Sequence, residues 1–166
     1  MKIIDLTHTI KEDMPVYPGT DAPKFTPAND YEKDGFKETL LQMYTHTGTH
    51  IDPPAHLFAD RTTLDQFPIS QFVGKALVID FRELNEGEDI TMGNYKGIGF
   101  DVIGLDPIAD ANLTRHKKLF KACNTVNIEN LTNLELCGHE LFWFSCYPLK
   151  LEQCDGSPLR AVAWLA

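Results

Sequence analysis

His46-Thr47-Gly48-Thr49-His50-Ile51-Asp52-Pro53-Pro54-Ala55-His56 is the stretch on which the reading of this chain turns. Three of the chain's six histidines and one aspartate fall inside it. Two neutral imidazoles and a carboxylate form a borderline-hard donor set, suited first to Zn²⁺ and then to Mn²⁺ or Fe²⁺. A helix would place His46 and His50 one turn apart, but Gly48 and two β-branched threonines lie between them. Pro53 also pushes Asp52 out of the helical region. The segment therefore reads as extended, with His46, Gly48, His50 and Asp52 on one side. Fully extended, His46 and His50 would sit about 13 Å apart at about 3.3 Å per residue, near the limit for sharing one ion. Gly48 is the place for a bend that closes this gap. Pro53-Pro54 then turns the chain so that His56 can return over the same pocket.

Outward from this segment, alternation marks strands at residues 2–10 and 39–52, separated by a Pro- and Gly-rich loop from Pro15 through Pro27. Short apolar runs at Lys75–Phe81 and Phe100–Leu105 read as buried strands. Residues 110–122 read as a helix with Leu113, Lys117 and Phe120 on one face. Two more strands are expected near 140–148 and 159–165. The class is mixed α and β, rich in strands, and the 166 residues suit one domain spanning 1–166.

The bulk properties narrow the choices. A net charge of −9 with no Lys/Arg cluster argues against nucleic acid. No run approaches the length of a membrane span, and the first residues lack the apolar core of a signal peptide. Cys123, Cys137, Cys146 and Cys154 form no C-x-x-C pair. Reduced, packed thiols in a cytoplasmic protein are the expectation.

The central segment matches His-x-Gly-Thr-His-x-Asp-x-Pro-x-His, and the chain resembles the metal-dependent cyclase family, which includes bacterial kynurenine formamidases and isatin hydrolases. Ile4-Asp5-Leu6-Thr7-His8 with Met14 to Gly19 resembles the family's opening strand and substrate loop. Pro148 to Arg160 resembles its closing stretch. The resemblance implies a swivelling β/β/α fold and one or two divalent ions, zinc first and manganese second. It implies that His46, His50 and Asp52 hold the first metal, with Asp52 bridging to a second. His116 and Glu129 would serve the second metal, and His56 would be the general acid/base. Tyr17 stands where formamidases commonly carry a substrate-stacking tryptophan. Between Phe81 and Phe100 the chain is shorter than a typical member.

The activity implied is hydrolysis of a small aromatic amide, N-formylkynurenine before others. The alternatives are a lactam or lactone of the isatin kind and a catalytically impaired metal-binding relative. A homo-oligomer, dimer or tetramer, is expected from the family and from the aromatic Phe142, Trp143, Phe144 and Trp164. The remaining polar residues are given structural parts. His8 is expected to be buried and hydrogen-bonded, Arg160 to pair with Asp155, and His139 is assigned no function.

Overall fold

The computed structural model of the chain describes residues 1–80 and 95–166. Nine strands occur among them, β1 (Lys2–Asp5), β2 (Lys24–Asn29), β3 (Glu38–Gln42), β4 (His50–Asp52), β5 (Val73–Ala76), β6 (Gly97–Gly99), β7 (Val126–Glu129), β8 (Phe142–Pro148) and β9 (Ser157–Leu165). Two α-helices accompany them, the single turn α1 (Tyr31–Asp34) and α2 (Thr114–Ala122). Seven of the strands form one curled mixed sheet, six in the order β5-β8-β9-β4-β7-β6 and the seventh, β1, paired with β9 off that path. β9 is long enough to pair with β8 on one side and, on the other, with β4 at its start and β1 at its end. The β6–β7 pair is parallel and the other pairs are antiparallel. The strand-rich mixed class expected from the sequence is the observed one.

The alternation of β4 and β7 positions the site. Ile51 pairs with Ile128, and both side chains enter the core with Leu6, Val126, Ala161 and Ala163. Because successive side chains point to opposite faces, the flanking residues turn the other way. His50 then stands opposite Glu129, and Asp52 opposite Asn127. The sheet thus buries an apolar layer on one side and presents four polar side chains on the other.

Several elements differ from the sequence reading. The first strand stops at Asp5 rather than running to residue 10. Leu6 and Thr7 bond outward to Ala161 and Thr132, and the His8 amide donates to Thr49 Oγ1 at 2.9 Å. His8 itself is exposed, not buried. The expected loop up to Pro27 contains β2, which forms a separate two-stranded ribbon with β3, and its register shifts between Pro27 and Asn29. Proline is tolerated in such an edge strand because it need not donate to a neighbour.

The expected strand over 39–52 is two strands broken by a turn, since Gly48 takes φ 67°. Val73–Ala76 pairs with β8, while Leu77 to Asp80 do not continue the strand; Phe81 lies outside the described residues. The strand expected at Phe100–Leu105 falls instead at Gly97–Gly99. Phe100 and Val102 follow it as a loop that bonds Ile128, Asn130 and Leu131. The helix starts at Thr114, not residue 110. Leu113 is left-handed at φ 51°, and the Asp110 carboxylate takes the amides of Asn112 and Thr114. Its buried residues are His116, Leu119 and Phe120, with Lys117 exposed. The two late strands lie where they were expected.

Candidate metal centre

Gly48 does what the segment requires of it. Its positive φ reverses the chain between His46 and His50, and the Gly48 carbonyl accepts a hydrogen bond from His50 Nδ1 at 2.8 Å. That bond fixes the His50 tautomer and leaves Nε2 with a free lone pair. Nε2 lies 3.4 Å from Asp52 Oδ1 and 3.4 Å from Glu129 Oε2. His46 Nδ1 lies 2.7 Å from the same Asp52 oxygen.

On the far side of Asp52 the pattern repeats. His116 Nδ1 donates to Asp106 Oδ2 at 2.5 Å, so its Nε2 is directed to Asp52 Oδ2 at 3.5 Å and Glu129 Oε1 at 2.9 Å. Asp106 also takes the amides of Arg115 and His116, supplying the first turn of α2 with acceptors. One carboxylate therefore caps the helix and aims its histidine. Asp52 is wholly buried and divides its two oxygens between two donor sets, His46–His50 and His116–Glu129. The atoms of each set lie within 4.8 Å of one another. Imidazole nitrogens and carboxylate oxygens in this number fit a divalent cation with bonds near 2.0–2.2 Å.

His56 closes the ring of imidazoles. Pro53 and Pro54 launch a short 3₁₀ turn, Pro54–His56, which brings the His56 ring to 4.0 Å from His46 and 5.9 Å from His116 between centroids. Burial, reinforced by positive charge on His46, lowers its pKa to about 4. The other histidines move the opposite way. Burial opposes charge on His46, but hydrogen bonds to Asp155 and Asp52 outweigh it and raise the group to about 10. Burial likewise opposes charge on His116, and Asp52, Glu129 and Asp106 raise it to about 10. Asp52 is buried, yet the charges and hydrogen bonds of His50, His116 and His46 hold its carboxyl well below the usual range.

All the residues singled out in the sequence as ligands, together with His56, meet in this one place. Tyr17 is half-buried at the rim. A methyl group on Gly104 would lie 3.9 Å from the Tyr17 ring and 3.7 Å from Glu129 Oε2. Three participants escaped the sequence reading. Asp155 accepts from His46 Nε2 at 3.2 Å and lies 3.9 Å from His56 Nδ1, forming a third and more open donor set. It does not pair with Arg160, whose guanidinium holds Asp5 instead. Asp106 and Asn127 are the others. Asn127 was legible in principle, because period two in β7 puts it on the face of Glu129. Asp106 and Asp155 had no local signal, since their partners lie far along the chain.

A family profile described as putative cyclase matches residues 4–96, more than half of the chain. The chain belongs to the putative cyclase family. Among cyclase-family relatives it is 28% identical to a kynurenine formamidase of Bacillus anthracis, over 97% of this chain and 96% of that protein. The alignment takes 203 positions against 166 residues here, so the relative carries residues with no counterpart in this chain. The structure of a predicted metal-dependent hydrolase from Bacillus stearothermophilus superposes with a TM-score of 0.76 at 25% identity, covering 98% of this chain and 97% of that one. Isatin hydrolase A from Labrenzia aggregata shares the fold with a TM-score of 0.83 at 23% identity, covering 98% and 93%. Among the described residues no helix is long and apolar enough to cross a membrane.

Proposed function

We propose that this protein is a metal-dependent amidohydrolase of the arylformamidase kind, with N-formylkynurenine as its leading substrate. The observation that carries this reading is Asp52, a buried carboxylate with one oxygen on each of two donor sets and His56 stacked beside them. The kynurenine formamidase relative supports the substrate class. His46, His50 and Asp52 would hold one divalent cation, and Asp52, His116 and Glu129 a second, with zinc the first choice for this donor set. Such a cation supplies a water of pKa near 7 and polarises a carbonyl.

The chain's own residues do the rest. Burial favours the neutral form of His56, the form whose imidazole can take the proton of the attacking water and return it to the leaving nitrogen. Asp155, 3.9 Å from His56 Nδ1, would offset the positive charge of the ring while it holds the proton. Tyr17 offers an aromatic surface at the rim for a substrate ring. We also propose a homo-oligomer. Ile3, Trp164 and Trp143 are register neighbours across β1, β9 and β8, and all three are exposed. Light scattering after gel filtration tests this, and a monomeric mass would refute it.

The deciding experiment is metal quantification together with hydrolysis of N-formylkynurenine and of isatin by wild type and His56→Ala. Wild type should bind metal and prefer the formamide. His56→Ala should keep its metal and lose at least about 100-fold in rate. Equal turnover by the two proteins would remove His56 from the mechanism, and a preference for isatin would move the assignment to lactam hydrolysis.

A further inference from the structure

Asn127 is fully buried and lies against the second donor set. Its amide head is 3.1 Å from Asp52 Oδ2, 2.8 Å from Glu129 Oε1 and 3.3 Å from His116 Nε2. Those three atoms are themselves close, with His116 Nε2 3.5 Å from Asp52 Oδ2 and 2.9 Å from Glu129 Oε1. Donors around a tetrahedral ion with bonds of about 2.1 Å stand about 3.4 Å apart, so the amide head has the spacing of a fourth corner. It is too far from the other three atoms to occupy the ion's own position.

The orientation of the amide adds a second observation. With the amino group inward, its two hydrogens face the carboxylate oxygens of Asp52 and Glu129, and the carbonyl Oδ1 is buried with no hydrogen-bond partner. The two ends of an asparagine amide have nearly the same shape, and a half-turn about the Cβ–Cγ bond exchanges them. That half-turn puts the oxygen at the fourth corner. Asn127 is placed there by β7, two residues before Glu129 and directly across from Asp52.

We propose that Asn127 is a metal ligand, its side-chain oxygen completing a four-donor site with Asp52, His116 and Glu129. This rests on the reading of the cluster as a metal centre. The neutral oxygen adds a donor without adding charge to a pocket that already holds two carboxylates.

Cobalt titration of the metal-free full-length protein, followed by visible absorption, tests it with Asn127→Leu and Asn127→Asp beside wild type. Wild type should take up two equivalents. Asn127→Leu should keep the first equivalent and bind the second more than about 1000-fold more weakly, beyond the roughly 10- to 100-fold effect of losing an outer-shell partner. Asn127→Asp keeps an oxygen in place and should restore the second equivalent to near wild-type strength. If Asn127 served only as an amide donor to the two carboxylates, the aspartate variant would fail as the leucine variant does, and that result overturns the proposal. So does a leucine variant that binds both equivalents normally, or a wild type that saturates at one. Wild type taking up no cobalt would instead overturn the metal-centre reading beneath it.

Discussion

Replacing Gly156 with alanine should disable the site while leaving the fold in place. Gly156 lies directly against the His46 ring. A Cβ built there would fall 2.5 Å from Cε1, 2.7 Å from Nε2 and 3.1 Å from Nδ1. Ordinary contact begins at 3.4 Å, so the ring must retreat by close to an ångström. Metal–ligand distances tolerate about 0.2 Å. The retreat therefore withdraws His46 from Asp52 and Asp155 together. A misplacement of about 1 Å commonly costs about 100-fold in rate, and that is the expected loss in kcat/KM for Gly156→Ala.

Stability should follow a different course. Gly156 is not among the glycines with positive φ, so its backbone accepts alanine without strain. The His46 side chain is 24% exposed and has room to swing outward. A melting temperature within a few degrees of wild type, with metal affinity and turnover both lost, is the expected result. Calorimetric metal titration and a thermal melt of the same preparation measure the two sides. A variant that binds metal and turns over like wild type would refute the placement of His46.

Asp106→Ala should weaken metal binding by about 10- to 100-fold through the released His116 ring, and also lower stability by about 1 kcal/mol through the lost cap on α2. Metal affinity unchanged in that variant would show that Asp106 acts on the helix alone. Loading the metal-free protein should release protons at pH 7. His46 and His116 are both raised to about 10, burial being outweighed by their carboxylate partners, so both carry protons that a cation must displace. The sign follows directly: affinity should rise with pH, by about tenfold or more per unit for one or more protons displaced. Heats of binding that are identical in buffers of different ionisation enthalpy would contradict this.

The residues that could be named from sequence share one property: their chemistry is packed into a short local pattern. His46, His50, Asp52 and His56 are neighbours along the chain, and Gly48 and the paired prolines announce the two turns between them. Alternation and apolar runs were enough for the mixed class and for β8 and β9. They were not enough for the first strand, because past Asp5 the chain leaves the β1–β9 ladder: the Leu6 carbonyl accepts from Thr132, the Thr7 amide turns to Asp5 and the His8 amide to Thr49. Nor did they locate β6, where the small Gly97 and Gly99 pair beside Val126 and Ile128 without an apolar run of their own.

By itself, then, the sequence determined the central donor set and the bends that gather it, because a turn needs only the residues that make it. The family resemblance added His116 and Glu129. Tertiary structure alone decided the rest. The β4–β7 register sets Asn127 beside Asp52, Asp106 reaches His116 from the loop before α2, and Gly156 brings Asp155 against His46. Each of these contacts joins residues far apart in the chain, and such pairings depend on strand order and register, which no local pattern specifies.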